Sequence, residues 1–362
     1  MKILHVITSL STGGAEKLMV DLLPRFLNLG HEVHLCLFNG KRTPFYEELE
    51  KSGVKIIPFS IGHGVYNISN LVRLIRLFKK EKYDIVHTHN TACQLYAAFA
   101  AVLCSVALCT TEHNTSNRRR VWKWYAPIDR WMYRKYKHIV CISDATERNL
   151  RDFIGEYSNK ISTVFNGIDV EKYRKAKSIE RITVTSHPDR IIIAMIAGFR
   201  HQKDHETVIK AAHLLPDNYE VWFVGDGERR PIIEELIQKL DVEDKVKLLG
   251  IRTDVASVLK AVDIVVMCSH WEGFGLAAVE GMAAGKPVIA SNVPGLAEVV
   301  DGAGFLFEPK NVVELSSLIE LLAENQELYK KSIRKCEDRA NEYDINIMVE
   351  NYISLYNDVL NG

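Results

Sequence analysis

The chain lacks any C-x-x-C pair, and its seven cysteines (Cys36, Cys93, Cys104, Cys109, Cys141, Cys268 and Cys336) are odd in number and mostly embedded in apolar runs. That pattern argues against a disulfide framework or a zinc site and reads as buried free thiols in a reducing compartment. No G-x-G-x-x-G follows a strand-like run, which disfavours a dinucleotide-dependent oxidoreductase. Tandem repeats and low-complexity tracts are absent, and no signal peptide is visible, because the first apolar stretch, Ile3 to Ile7, is only strand-length. One uncharged run, Thr91 to Cys109, approaches transmembrane length. Its alanines, with Gln94, Tyr96 and Ser105 interrupting it, fit a buried crossover helix followed by a buried strand better. The expected protein is cytoplasmic and carries no membrane span.

What the sequence has is enough for two cores. It runs to 362 residues with 47% hydrophobic and 25% charged composition, suited to two domains of ordinary size. The formal net charge of zero conceals a division: residues 1–165 hold 23 Lys and Arg against 14 Asp and Glu, residues 166–362 hold 23 against 32. The basic half is the better candidate to meet phosphate or an anionic membrane.

Both halves alternate apolar strand-like runs with amphipathic stretches. KILHVIT, EVHLCLF, KIIPF, DIVHTH, ALCTTEH and HIVCIS occupy the first; RIIIAMIAG, YEVWFVG, KVKLLG, DIVVMCS and KPVIAS the second. Continuous apolar strands separated by helices predict a doubly wound parallel α/β sheet in each half, Rossmann-like in form. The domains are expected at 1–165 and 166–344, with the polar stretch 171–190 as a connection or surface excursion. The last helix, 345–362, is expected to cross back onto the first domain. Two such domains facing each other would enclose a cleft between the carboxyl ends of their sheets. Pro24 implies a kink or an early end in the first helix.

Three strand-to-helix junctions carry candidate chemistry. Ser11-Thr12-Gly13-Gly14-Ala15-Glu16 follows the first strand, where adjacent glycines allow close backbone approach and a helix N-terminus offers N–H groups to phosphate; a plain tight turn explains it equally. Gly198, Arg200 and Lys203 follow the first strand of the second half, as two cations three residues apart that could clamp a diphosphate or simply be solvated. Gly225-Asp226-Gly227-Glu228 turns at the same edge. The richest segment is Ser269 to Glu280, in which Glu272 sits in a glycine-flanked loop and Gly275 to Leu276 would start a helix. A loop carboxylate accepts hydrogen bonds from sugar hydroxyls, the helix start receives an anion, and Glu280 can reach a ribose.

The run E-G-F-G-L-x-x-x-E followed by G-x-P-V-I-A-S resembles the signature of the retaining family-4 glycosyltransferases of the GT-B fold. The likeness extends over nearly the whole chain, through the Gly-Gly turn, Thr111-Glu112-His113, Val164 to Asp169, and Arg200 with Lys203. Gly281 departs from it, since the family commonly has alanine there. The resemblance implies that Arg200 and Lys203 neutralise the donor diphosphate, Glu280 holds the ribose, and Glu272 binds hydroxyls of the transferred sugar. Phe274, Gly275 and Leu276 would offer backbone N–H groups, with Gly13, Gly14, Gly198 and Gly225 lining the donor. His113 would reach the sugar, and Asn166 would lie near the hinge. It implies transfer with retention, the departing phosphate helping to deprotonate the acceptor. No D-x-D occurs, so the cations replace a metal. His87, His89 and His113 need none either. No cofactor is expected beyond a nucleotide-diphosphate sugar, UDP preferred over GDP.

Residues 117–137 interleave Arg118, Arg119, Arg120 and Lys123 with Trp122 and Trp124, and continue with further Arg, Lys, Trp and Tyr. Such a mixture suits the headgroup zone of an anionic membrane and a glycan or polyprenyl-linked acceptor, placing the protein peripherally at the inner face of the cell membrane in cell-surface polysaccharide synthesis. Nucleic acid is the rival partner, without a recognised binding module to support it, and an ordinary helix with solvated cations is the plain alternative. The rival activities are a sugar-nucleotide epimerase on the same fold and a non-catalytic nucleotide-sugar-binding module.

Overall fold

In the computed structural model the described residues are 1–11, 13–61, 64–115, 125–155 and 158–362. They form two compact units, one of Met1–Gly167 with Ile345–Gly362, the other of Ile168–Asp344.

The first unit holds seven parallel strands: β1 (Lys2–Ile7), β2 (Glu32–Asn39), β3 (Lys55–Ser60), β4 (Ile85–His89), β5 (Ala107–Glu112), β6 (His138–Cys141) and β7 (Ile161–Thr163), in the order β3-β2-β1-β4-β5-β6-β7. The central strands β1, β4 and β5 are buried along almost their whole length, the histidines and threonines within them included. Thr91 to Cys109 divides into the helix Thr91–Val102 and the start of β5. No helix of the described residues is long and apolar enough to cross a membrane.

The helix Gly14–Asn28 runs through Pro24 without ending, because Leu22, Leu23 and Phe26 on either side of the proline are buried in the core beneath it. The terminal helix Ile345–Asn361 contributes Met348, Val349, Tyr352 and Tyr356 to that same core.

The second unit holds β8 (Ile191–Ile196), β9 (Tyr219–Val224), β10 (Val246–Leu248), β11 (Ile264–Met267), β12 (Val288–Ser291) and β13 (Phe305–Phe307), all parallel, in the order β10-β9-β8-β11-β12-β13. The polar stretch 171–190 belongs to this unit rather than bridging the two. Its polarity has a structural use: the Arg181 guanidinium donates to Ala261 O and to Asp263 Oδ1, both at 2.6 Å, and Thr185 donates to the buried Glu220 at 2.7 Å.

In each sheet the winding reverses once, between β1 and β4 and between β8 and β11. Crevices beyond the carboxyl ends of strands at such a reversal are where open α/β sheets bind ligands.

Candidate functional site

The loops leaving β8 and β11 are the two that flank the reversal of the second sheet, and they are joined to each other. Lys203 and Ser269 form an isolated antiparallel bridge; Asp204 N–H donates to Cys268 O at 3.0 Å, and His270 N–H to Gln202 O at 2.9 Å. Ser291, at the end of β12, accepts from Ser269 N–H at 2.9 Å and donates to Ser269 O at 3.0 Å. The loop after β9 joins the same group, with Phe199 N–H donating to Asp226 O and Arg229 N–H to Phe199 O, each at 3.1 Å. Here glycine is obligatory: Gly225 has φ +146°, and a Cβ would run into Ala197 O. Gly198 has ordinary room for a Cβ, 3.6 Å from Asp226 O.

Lys203 and Glu272 meet at the centre of this group as an ion pair, with side-chain exposures of only 17% and 12%. The sequence reading gave them separate duties, one to a diphosphate and one to a sugar; in this structure each neutralises the other. Glu272 also accepts from Gly273 N–H at 3.1 Å, while Gln202 Nε2 donates to Trp271 O at 2.9 Å. Arg200, whose carbonyl accepts from Lys203 N–H at 2.9 Å, is exposed. A pair of opposite charges this poorly hydrated is costly to split unless a new partner replaces the old one. An anion arriving at Lys203 supplies such a partner, and Glu272 is then available to hydroxyl donors.

Leu276–Ala283 is helical, started by Gly275 at φ +97°, and Phe274 is buried edge-on against Tyr343 with ring centres 5.1 Å apart. Glu280 is half-buried and accepts from Tyr173 Oη at 2.6 Å, a partner that sequence reasoning missed because Tyr173 lies in the polar stretch treated as a connection. Gly281 faces Val265, where a Cβ would stand 3.0 Å from both methyls, so its lack of a side chain serves close packing of this helix on β11. Gly295 was also missed: it has φ +85°, and a Cβ there would come 2.6 Å from Glu272 O.

In the first unit Gly14 begins its helix and Gly13 precedes it in extended conformation without a side-chain cap. The Glu16 carboxylate lies against Gly13, so this helix start already carries an acidic group. His113 follows β5 and meets His89 on β4, Nε2 to Nδ1 at 3.0 Å; His89 Nε2 in turn meets His5 Nδ1 on β1 at 3.0 Å. His87 stacks on both His5 and His89 and bonds Thr111 and Tyr356 at 2.7 and 2.8 Å. Burial holds all four rings neutral, with His5 pushed down to about 3, His113 to about 4, and His87 and His89 well below the usual imidazole range. Among the described residues, no three His, Cys, Asp or Glu side chains are arranged to hold a metal ion. Arg118, Arg119, Arg120, Trp122, Lys123 and Trp124 lie outside the described residues.

Two doubly wound units, with loops meeting at the sheet reversal, define a GT-B type of fold, and comparisons agree. Residues 12–172 match the model of glycosyltransferase family 4, and residues 177–339 that of the glycosyl transferases group 1. An uncharacterised glycosyltransferase of Methanocaldococcus jannaschii is 32% identical over 88% of this chain and 87% of its own. A UDP-Gal:alpha-D-GlcNAc-diphosphoundecaprenol alpha-1,3-galactosyltransferase of Escherichia coli is 26% identical over 99% and 97%. Among solved structures, Anabaena HepE in complex with UDP-glucose superposes with a TM-score of 0.87 at 20% identity, covering 99% of this chain and 100% of that one. The chain belongs to the group 1, family 4 glycosyltransferases.

Proposed function

We propose that the protein transfers a hexose with retention, from a nucleotide-diphosphate sugar, UDP-linked in preference to GDP-linked, to a lipid-linked glycan in cell-surface polysaccharide synthesis. The observation that carries this reading is the meeting of Lys203 and Glu272 at the reversal of the second sheet, with the exposed Arg200 on the same loop as Lys203. Breaking a glycosyl–phosphate bond builds negative charge on the leaving diphosphate, and cations aimed at it stabilise the transition state without a metal. Lys203 and Arg200 take the diphosphate, with the N–H groups of Phe274, Gly275 and Leu276 and the turns at Gly13, Gly14, Gly198 and Gly225 lining the donor. Glu280, steadied by Tyr173, takes the ribose. Glu272 takes hydroxyls of the sugar once Lys203 has turned to phosphate, and His113 is assigned to the sugar being transferred. The same-face attack that retention requires lets the departing phosphate accept the acceptor's proton.

The E. coli relative is named for a UDP-sugar donor and a diphosphoundecaprenol acceptor, which supports the lipid-linked choice. An apolar surface on the first unit supports it as well. Phe99, Val102 and Leu103 are exposed at the end of the helix Thr91–Val102; Trp131, from the helix Ala126–Arg134, lies against Phe99 with ring centres 4.7 Å apart, and Lys135 sits over Trp131. Exposed apolar and aromatic groups beside cations suit an anionic membrane, and residues 117–124 continue that composition.

Thermal shift with UDP, GDP and their sugars identifies the base. Release of nucleoside diphosphate is then followed with and without a polyprenyl-diphosphate-linked sugar, in the presence of EDTA. Acceptor-dependent release that survives chelation, with a product retaining the anomeric configuration of the donor, is the expected result. Release of free nucleotide without any transferred sugar, or full dependence on magnesium or manganese, would refute the proposal.

A further inference from the structure

The histidines of the first sheet form a line whose far end is unfinished. His113, His89 and His5 sit on three adjacent strands or their ends and are linked nitrogen to nitrogen at 3.0 Å twice. His5 is fully buried, and its Nε2 has no hydrogen-bond partner among the described residues. Neutral imidazole carries one proton, so each link has one donor and one acceptor, and the three rings can be protonated in only two consistent ways. If His113 donates from Nε2, His89 must donate from Nε2 to His5, and His5 is left with an N–H buried without an acceptor. If His5 donates from Nδ1, His89 donates from Nδ1 to His113, and only a bare nitrogen is left unpaired at the buried end. Buried N–H groups without partners are the rarer kind of orphan. The second pattern is the one this geometry favours.

We infer that His89, backed by His5, is a positioning residue that fixes the ring tautomer of His113, holding the His113 proton on Nδ1 and keeping its Nε2 occupied as an acceptor. His113 then meets a ligand as a hydrogen-bond donor and not as an acceptor, with the ring orientation set by the link to His89. The natural target for such a donor is an oxygen of the transferred sugar, a step that rests on the function proposed above. His87 packs across the line: stacked on His5 and His89, it restricts how far either ring can turn.

The test is nitrogen NMR of the whole protein labelled with 15N-histidine, with His113 assigned by loss of its signals in His113→Asn. In the unsubstituted protein the expected spectrum has the His113 proton on Nδ1 and a bare Nε2; a proton on Nε2, or averaging between the two forms, would overturn the tautomer assignment without any need for a second variant. Kinetics then examine the consequence. His89→Phe removes the link and is expected to lower kcat/KM for the nucleotide sugar by about tenfold, the scale of one lost hydrogen bond. Affinity for plain nucleoside diphosphate should stay unchanged. His89→Asn, whose amide N–H can stand near the place of Nδ1–H, should restore most of the loss. A locked tautomer with wild-type turnover in His89→Phe would leave the histidine line standing and reject the contact between His113 and the sugar.

Discussion

Acid should loosen the first unit before the second, and the size of the effect follows from the buried histidines. His5, His87, His89 and His113 are all held neutral, chiefly by burial, although the nearby Glu112 opposes this at His113. Their folded pKa values lie below the unfolded value of 6.5, so below that pH the unfolded chain binds more protons than the native one. Stability from these groups is therefore fully present above pH 6.5 and is lost progressively as pH falls towards the folded values. Each histidine that stays neutral in the fold costs about 1.4 kcal/mol between pH 7.5 and 5.5, so the four together cost about 5 kcal/mol, comparable to the whole stability of a marginal domain. Of such rings the second unit's described residues hold His205, pushed down to about 4 by burial, which predicts a loss of about 1.4 kcal/mol there. Hydrogen exchange resolved by peptide, and corrected for the intrinsic pH dependence of exchange, reads the two units separately. Protection of Lys2–Ile7 and Ile85–His89 should fall much further from pH 7.5 to 5.5 than that of Tyr219–Val224 and Ile264–Met267. Equal losses in the two sheets, or no loss in the first, would refute the reasoning.

Lys203→Ala and Arg200→Ala should each lower turnover by roughly 2–4 kcal/mol of transition-state stabilisation while leaving the fold intact; near-wild-type rates in both would remove the cation clamp. Glu280→Ala should weaken binding of plain nucleoside diphosphate in calorimetry. Glu272→Ala should leave that binding equal or tighter, because Glu272 competes with phosphate for Lys203, yet should impair transfer and sugar discrimination; equal losses of nucleotide affinity in both variants would contradict the separate roles. The protein should co-sediment with anionic vesicles more than with neutral ones, and changing Arg118, Arg119 and Arg120 together to Ala should reduce it; indifference to lipid charge would indicate a soluble acceptor.

The strands were legible because a buried parallel strand is apolar along most of its length: all eleven strand-like runs identified in the sequence contain a strand in the structure. The two that escaped, β7 and β13, are three residues each; β10 is as short and was found only because it lies within the longer run KVKLLG. In the second unit Lys203 and Glu272 meet because loops that leave adjacent strands at a sheet reversal come together, and the order of those strands is a property of the folded sheet. What could not be read was pairing at the level of single side chains. Nothing in the spacing of Lys203 and Glu272, 69 residues apart, says that in this structure they bind each other, and nothing marks Tyr173 as the partner of Glu280, 107 residues away. The histidines show the same limit from the other side. H-T-H on one strand suggests a site, yet only the register of β1 against β4, which sets His5 beside His87, turns three scattered imidazoles into a line with a buried end. Sequence pattern decides which face of an element is buried, because burial repeats every second or fourth residue. Which polar atom finds which partner depends on register between elements far apart in the chain, and there the chemistry of the site is decided.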